Sequence, residues 1–375
     1  MSTNTKSVEE QAQAANKAGI KLASASSDLK NYALLAIANA IEDNQQRILQ
    51  ANARDLEAAT TANMDFHLVD RMTLNDARIK AMATAAREIA KLPDPIGEIL
   101  EERVLPNELH IQRIRVPLGV IGVIYESRPN VTIDIATLCL KSGNGVILRG
   151  GKECIITNTL LAEIVKDAIE STGISRDVVQ FIETTDRSIV SKLLDMDDFI
   201  DLMIPRGGGE LVKFIGQNAK MPAITGGVGV CHTYVDAEAD IDMAVKIVVN
   251  AKTQRPTVCN AMDTVLIHQN VAREYLPKLA TALSIRDVEL RADSRAISML
   301  DAVTEEARIV PAQAGDFGRE FLGLIASVKI VDSIEEAMNH IAEYGSRHSE
   351  AIVSDNKETI EQFLGEVDSA AVFAN

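Results

Sequence analysis

The alternation of short apolar segments with helical segments beyond Gly119 is the feature that most constrains the fold of this chain. Five segments have the composition of strands, and helical patterns separate most of them; they are residues 119–125, 145–148, 178–183, 199–204 and 222–225. Between two of them, Leu161, Ile164 and Val165 fall on one helical face. Strands this apolar, separated by helices, predict a parallel sheet that is covered on both faces.

A second set of the same kind follows and predicts a second α/β domain. Its helices are expected at residues 241–250, 271–283 and 333–344, and its strands at residues 263–268, 328–331 and 351–353. A chain of 375 residues is long enough to build two domains with substantial cores. The pattern therefore predicts an α/β protein with two parallel-rich sheets.

The region before Gly119 has a different organisation. Residues 7–92 are helical in pattern, with Leu34, Ile37 and Ile41 at positions i, i+3 and i+7. Residues 97–117 alternate with a period of two around a central turn and predict a two-stranded ribbon. A ribbon this polar is not stable alone, so we expect it to pack on another part of the protein or on another subunit.

Composition and charge argue against several classes of function. The net charge of −16 argues against binding to nucleic acid or to a membrane surface, since both select for basic patches. The N-terminus is polar, and no apolar run reaches the length of a membrane span. The four cysteines and six histidines show no metal-ligand spacing, so we expect no metal. These features predict a cytoplasmic protein of enzyme size.

Cys259 is the strongest local candidate for a catalytic residue. It follows an amphipathic helix, precedes an apolar strand and has Lys252 and Arg255 nearby in sequence. A thiol held partly exposed in a positive field forms the nucleophilic thiolate, whereas most free cysteines are small buried residues. The local sequence alone favours the buried interpretation. We expect the other three cysteines, Cys139, Cys154 and Cys231, to be structural. Of these, Cys154 has the best claim to reactivity, because it lies at a predicted helix start.

Three glycine-bearing segments follow predicted strands and suggest a nucleotide site. The first places two glycines between Arg149 and Lys152, the second places Gly207–Gly209 behind Arg206, and the third spans residues 224–229. Glycine lets the backbone approach a phosphate, and a helix N-terminus supplies N–H donors. None is a G-x-G-x-x-G fingerprint or a Walker loop, so each segment alone favours a tight turn over a ligand loop. Together they indicate a dinucleotide at the carboxyl ends of the strands.

Asn130 follows the first strand of the predicted sheet, directly after Pro129. A side-chain amide fixed near a nucleophile is a donor of the kind that an oxyanion hole requires. The same residue could instead cap a helix that begins at Val131. The local sequence alone favours the capping role.

Four segments together resemble one family. They are VPLGVIGVIYESRPNVT (residues 116–132), ILRGGKE (147–153), IPRGG (204–208) and AKTQRPTVCN (251–260), and the chain is similar through them to the γ-glutamyl phosphate reductase family of the aldehyde dehydrogenase superfamily. The resemblance runs in one register from about residue 15 to residue 375.

The resemblance implies an aldehyde dehydrogenase-like fold with two α/β domains and a ribbon used for oligomerisation. The implied cofactor-binding domain covers residues 1–96 and 118–235, the ribbon residues 97–117, and the catalytic domain residues 236–368. Residues 369–375 would then begin a truncated C-terminal segment.

The resemblance also implies roles for individual residues. Cys259 matches the nucleophile, Asn130 matches the oxyanion-hole amide, and Glu320 matches the glutamate that hydrogen-bonds the nicotinamide ribose, unless it is a solvated surface carboxylate. The charges of Arg149 and Lys152 suit the 2′-phosphate of NADPH. The segment beside the cofactor pyrophosphate is matched by Gly207, Gly208 and Gly209. The candidate cations for the substrate anions are Arg128, Arg206, Lys252 and Arg255, of which we favour Arg128 and Arg255 because each is close in sequence to a proposed catalytic group.

The implied activity is the NADPH-dependent reduction of L-glutamate 5-phosphate to L-glutamate 5-semialdehyde, through a thioester on Cys259, in proline biosynthesis. Hydrolytic members of the superfamily carry a general-base glutamate in an ELGG motif, where this chain reads ITGG at residues 224–227. Without that base, a thioester should resist hydrolysis. The alternatives are an inactive truncated fragment that binds nucleotide, and a CoA-dependent or hydrolytic aldehyde dehydrogenase. A homo-oligomer and a glutamate 5-kinase partner are further expectations.

Overall fold

The computed structural model describes residues 6–186, 188–300 and 308–375. The chain divides into two compact units, Met1–Gly226 and Gly227–Asn375. The domain boundary predicted between residues 235 and 236 is therefore wrong by nine residues. The physical reason is strand pairing, because the strand Cys231–Val235 is bonded within the sheet of the second unit.

Helices fill the N-terminal part of the first unit, as the spacing of apolar residues predicts: α1 Val8–Leu22, α2 Ser27–Asp43, α3 Gln45–Thr61, α4 Phe66–Met72 and α5 Asp76–Lys91. The Ser26 side chain accepts from the Leu29 N–H and caps α2. Leu34, Ile37 and Ile41 are fully buried on the inner face of α2. The predicted helical region is thus confirmed.

The ribbon consists of β1 Ile99–Val104 and β2 His110–Ile114, which pair antiparallel with one bulge. This confirms the predicted hairpin. Ten of its eleven strand residues are exposed, including Ile99 and Ile114. The ribbon therefore leaves apolar side chains uncovered within its own unit.

The sheet of the first unit has the strand order β5-β4-β3-β6, and each pair is parallel. Its strands and helices are β3 Val120–Tyr125, α6 Asn130–Lys141, β4 Gly145–Arg149, α7 Ile155–Ser171, β5 Val179–Phe181, α8 Ser188–Leu194, β6 Leu202–Arg206 and α9 Gly209–Asn218. Alternate residues of β3 enter two different cores, since Ile121 and Val123 belong to one cluster and Val120 and Ile124 to another. The sheet is covered on both faces, as its composition predicts.

The strand predicted at residues 222–225 is wrong. Only Ala223 makes a bridge, to Met203 of β6. Pro222 has no N–H to extend the ladder, and Ile224 is 59% exposed, so pairing stops after one residue.

The second unit holds a seven-stranded sheet with the order β10-β9-β11-β8-β7-β12-β13. Its elements are β7 Cys231–Val235, α10 Ile241–Thr253, β8 Met262–His268, α11 Gln269–Ser284, β9 Glu289–Ala292, α12 Ser294–Leu300, β10 Ile309–Pro311, β11 Ile325–Val331, α13 Ile334–Tyr344, β12 Ser349–Val353, α14 Lys357–Glu366 and β13 Ala371–Ala374. Every pairing among these strands is parallel. The predicted α/β class is confirmed in both units.

Among the residues described, no helix combines the length and the apolar composition needed to cross a bilayer.

Candidate functional site

Cys259 is distinguished from the other three cysteines by its accessibility. It lies in the turn between α10 and β8 and is partly exposed, whereas Cys139, Cys154 and Cys231 are buried. Burial raises the pKa of Cys139 and that of Cys231 to about 12, and it raises the pKa of Cys154 further still. These three thiols stay protonated at neutral pH. The buried-hydrophobe interpretation therefore applies to them and does not apply to Cys259.

A glycine strap, residues Gly227–Gly229, holds the backbone of the Cys259 turn. A Cβ atom on Gly229 would overlap the carbonyl oxygen and the Cα atom of Cys259, so only glycine fits this approach. The Cys231 Sγ donates to the same Cys259 carbonyl at 3.3 Å. Just beyond the strap, the Val230 N–H donates to Ser346 Oγ at 2.8 Å. The backbone of Cys259 is thus held by two contacts, one with Gly229 and one with Cys231.

Glu320 lies in the same unit as Cys259 and contacts the same glycine strap. Its Oε1 accepts from the Gly229 N–H at 3.2 Å, and the residue is half-buried. The interpretation as a solvated surface carboxylate is therefore wrong. One residue, Gly229, contacts both the Cys259 backbone and the Glu320 carboxylate, so the structure brings these two predicted residues together.

Lys252 does not face the site as a substrate cation, and that prediction is wrong. Its side chain is fully buried, and Nζ donates to the Met262 carbonyl at 2.8 Å and to Asp263 Oδ1 at 3.2 Å. Burial lowers the pKa of Lys252 and raises the pKa of Asp263, and each partner's charge opposes the shift of the other. The Phe321 N–H also donates to Asp263 Oδ1, at 3.2 Å. The buried pair therefore supports the segment that carries Glu320.

Replacing Lys252 with alanine is expected to lower the free energy of unfolding by about 3–5 kcal/mol, because it leaves a buried carboxylate without its cation. Chemical denaturation of the two proteins measures this difference. The matched control is Lys246→Ala, an exposed lysine on the same helix, for which we expect a change within about 0.5 kcal/mol. Equal stability of Lys252→Ala and the wild type would contradict the assignment.

In the first unit, the loop between β3 and α6 carries Asn130. Ser127 in this loop has a φ angle of 46°, and Glu153 Oε1 accepts from its N–H at 2.6 Å and from its Oγ at 2.9 Å. Helix α6 begins at Asn130 itself, and Pro129 at the N-cap makes no side-chain capping bond. The capping interpretation of Asn130 is therefore wrong. The Asn130 Nδ2 donates instead to Asp134 Oδ2 at 2.7 Å.

The residues proposed to hold the cofactor follow β4 and β6. Arg149 is the last residue of β4, where its Nη2 donates to the Thr185 carbonyl at 3.4 Å, and Lys152 is exposed on the turn that follows. The carboxyl ends of these parallel strands share one edge of the sheet. This edge is where α/β sheets bind ligands.

The glycines after β6 meet a carboxylate that the sequence analysis did not single out. The Gly208 N–H, at the start of α9, donates to Glu126 Oε2 at 2.9 Å, and a Cβ on Gly207 would press on the same carboxylate. The Glu126 N–H in turn donates to the Arg206 carbonyl at 3.1 Å. The loop before Asn130 and the glycine segment are therefore adjacent. The α9 N-terminus already binds an anionic group of the protein, which shows its preference for negative charge.

The remaining candidate cations differ in exposure. Arg206, at the end of β6, and Arg255, just after α10, are exposed, and Arg128 is half-buried. Across the described residues, no group of three or more His, Cys, Asp or Glu side chains is arranged to hold a metal ion.

Comparison with known proteins identifies the relatives of this chain. The sequence pattern of the "Aldehyde dehydrogenase family" matches residues 1–307. A gamma-glutamyl phosphate reductase of Dehalococcoides mccartyi strain CBDB1 is 50% identical over 368 residues, which cover 98% of this chain and 87% of that protein. The enzyme of the same name from Moorella thermoacetica is 49% identical, with 98% and 87% covered.

A solved structure agrees with these relatives. The crystal structure of the gamma-glutamyl phosphate reductase of Thermotoga maritima superimposes with a TM-score of 0.90 at 39% identity. The match covers 98% of this chain and 88% of that one. The predicted family resemblance and the predicted fold are both confirmed.

Proposed function

Since this chain belongs to the aldehyde dehydrogenase family, we propose that it reduces γ-glutamyl phosphate to glutamate 5-semialdehyde and phosphate, the step of proline biosynthesis that its relatives are named for. It is an oxidoreductase that uses a nicotinamide cofactor. The observation that carries the proposal is the partly exposed Cys259 thiol on a backbone fixed by Gly229, in a chain half identical to named reductases.

The first step proposed is attack by the Cys259 thiolate on the acyl carbon of γ-glutamyl phosphate. The bond between Sγ and the acyl carbon forms. The bond between the acyl carbon and the bridging oxygen breaks, and inorganic phosphate leaves with that oxygen and the electron pair. We propose that the Asn130 amide donates to the oxyanion of this step. This role is supported by the family pattern and by the finding that the Asn130 side chain does not cap α6.

The nicotinamide cofactor supplies, when bound, the hydride that reduces the thioester carbon. The S–C bond then breaks, which releases the aldehyde and restores the Cys259 thiolate. Glu320 is proposed to bind the nicotinamide ribose, and its half-buried carboxylate beside Gly229 suits that role. The start of α9 favours negative charge, as the bond from the Gly208 N–H to Glu126 indicates, and a cofactor pyrophosphate proposed here would take the place of that carboxylate.

The reductase chemistry requires that water does not intercept the thioester. The ITGG segment of residues 224–227 carries no carboxylate where hydrolytic relatives have their base. Glu320, the carboxylate that contacts the glycine strap, already accepts a hydrogen bond at Oε1 from the Gly229 N–H. The chain therefore favours exchange of the acyl group with phosphate, or its reduction, over hydrolysis.

We propose NADPH as the cofactor because Arg149 ends β4 and Lys152 follows it, where their charges suit a 2′-phosphate. Lys152→Ala is expected to lower kcat/KM for NADP⁺ about 10-fold or more, as the loss of a charge-assisted hydrogen bond implies, and to change kcat/KM for NAD⁺ less than twofold. Steady-state kinetics with both cofactors measure the effect. Lys246→Ala serves as the matched exposed lysine, and equal losses for NADP⁺ and NAD⁺ would contradict the assignment.

Arg128, Arg206 and Arg255 remain the proposed cations for the carboxylate and phosphate of the substrate. We also propose a homo-oligomer that covers the ribbon β1–β2, because Ile99, Val104 and Ile114 are each about half exposed there (51%, 56% and 49%). A glutamate 5-kinase is the partner that the lability of an acyl phosphate suggests. The cytoplasm is the proposed location.

The test of this function is reduction of NADP⁺ by the purified chain with glutamate 5-semialdehyde, with and without phosphate. Turnover that requires phosphate is the expected result. Turnover that requires CoA, or needs neither phosphate nor CoA, would replace the proposal with a CoA-dependent or a hydrolytic dehydrogenase. Nucleotide binding without turnover would favour the inactive alternative.

A further inference from the structure

The start of α6 contains a short hydrogen bond between two side chains, of a kind that stabilises a helix only slightly. The Asn130 Nδ2 donates to Asp134 Oδ2 at 2.7 Å, between residues one helical turn apart on the same face. This distance is at the short end of the range for a charge-assisted bond. Asp134 lies beyond the first turn of α6, where a carboxylate contributes little through the helix dipole.

Keeping Asp134 in this place has an energetic cost. The side chain is half-buried, and burial raises the pKa of its carboxyl, while the hydrogen bond from Asn130 lowers it. Burying a carboxylate is unfavourable unless a partner compensates. An alanine here would avoid that cost and has the higher helix propensity.

The backbone of Asn130 is already fixed by other contacts. Glu153 holds the preceding loop through Ser127, and Thr132 of α6 is bonded to Tyr125 of β3 at 2.6 Å. The remaining freedom of Asn130 is rotation of its amide, whose oxygen and nitrogen ends have nearly the same shape. Its hydrogen-bond partners decide which end points where.

An ionised carboxylate can only accept hydrogen bonds, so it selects the nitrogen end of a neighbouring amide. The nitrogen has two hydrogens, one of which Asp134 uses, so the second remains available as a donor. A flipped amide would present its oxygen, which repels an oxyanion. We infer that Asp134 is a positioning residue that orients the Asn130 amide as a donor for acyl transfer to Cys259. This inference rests on the role proposed above for Asn130.

A double-mutant cycle tests whether Asp134 acts through Asn130. The proteins are the wild type, Asp134→Ala, Asn130→Ala and the double variant, with the isosteric Asp134→Asn added in case the alanine variant fails to fold. The readout is the burst of p-nitrophenolate when p-nitrophenyl acetate acylates Cys259. Alkylation of Cys259 by iodoacetamide is measured in parallel, because that displacement forms no oxyanion.

Asn130→Ala is expected to slow acylation about 10²–10³-fold, as removal of an oxyanion donor does. We expect Asp134→Ala to slow it about 10-fold alone and not at all in the Asn130→Ala background, while alkylation stays within about twofold throughout. Leu138→Ala, an exposed side chain one turn further along α6, is the control and should leave both rates unchanged.

Additive losses in the cycle, equal slowing of acylation and alkylation, or an Asp134→Ala protein with wild-type acylation would overturn the inference. Wild-type acylation by Asn130→Ala would overturn it together with the role of the amide. The proposed function fails separately, since it requires phosphate-dependent NADP⁺ reduction by the wild type, which the ester assay does not measure.

Discussion

Replacing Cys259 with alanine is expected to abolish phosphate-dependent reduction of NADP⁺, with a loss of at least about 10⁴-fold in kcat. The reason is covalent catalysis, since no thioester can form without the sulfur. Cys259 is partly exposed on a turn, so the substitution opens no cavity and should leave the fold intact. Steady-state turnover measures the loss, and thermal unfolding together with binding of NADP⁺ shows whether the variant is folded.

The control is Cys154→Ala, because Cys154 is the residue that the sequence offers as the best alternative nucleophile. It is fully buried at the start of α7, and burial raises its pKa. We expect this variant to lose stability through its cavity and to keep its turnover within a few-fold. Loss of activity in Cys154→Ala with retention in Cys259→Ala would contradict the assignment of the nucleophile.

Much of the fold follows from the sequence because its strands are apolar over their full length. All six residues of β3 are buried, and a run of that kind separated by helices has few alternatives to a parallel sheet. Shorter strands give a weaker signal. Glu289–Ala292 has four residues with two charges among them and was not predicted, since its pairing with β10 and β11 depends on tertiary contacts.

The domain boundary was predicted wrongly for the same reason, since it too depends on tertiary contacts. Cys231–Val235 is an apolar strand whichever sheet it joins, and its sequence does not say which. Its partners are β8 and β12, and the β12 residues it pairs with lie more than a hundred positions later. Local pattern therefore identifies the strand, and only long-range pairing assigns it to a domain.

The candidate site residues that lie in sequence motifs could be predicted, whereas those whose role depends on long-range contacts could not. Cys259 and Asn130 were proposed from family-specific segments, and Glu320 was proposed from its register with the family. Glu126 was missed because its role depends on a hydrogen bond to Gly208, 82 residues away.

Lys252 was a different kind of error, because the sequence contained the signal that corrects it. It follows Ala244 and Val248 at intervals of four residues, and all three are buried on one face of α10. A lysine that continues an apolar face is expected to point into the core. Proximity to Cys259 in sequence was the weaker criterion.

Gly229→Ala is the second prediction with a large expected effect. The new Cβ would overlap the carbonyl oxygen and Cα of Cys259, which are backbone atoms that cannot rotate away. Either the strap or the turn that carries the nucleophile has to shift. Overpacking of this kind costs about 1–3 kcal/mol of stability. A displacement of about 1 Å at the nucleophile costs about 10²-fold in kcat.

The neighbouring glycine supplies the matched control for this second prediction. A Cβ on Gly227 would meet its nearest atom, the Ser346 carbonyl oxygen, at an ordinary 3.9 Å, so Gly227→Ala should keep turnover within about threefold. Turnover and the iodoacetamide alkylation rate of Cys259 are measured for both variants. Alkylation needs only the thiol, whereas turnover also needs the thiol to be aligned with the substrate. We therefore expect Gly229→Ala to lose far more turnover than alkylation rate. Equal behaviour of the two glycine variants would show that the strap does not position Cys259, and would leave the nucleophile supported by its exposure alone.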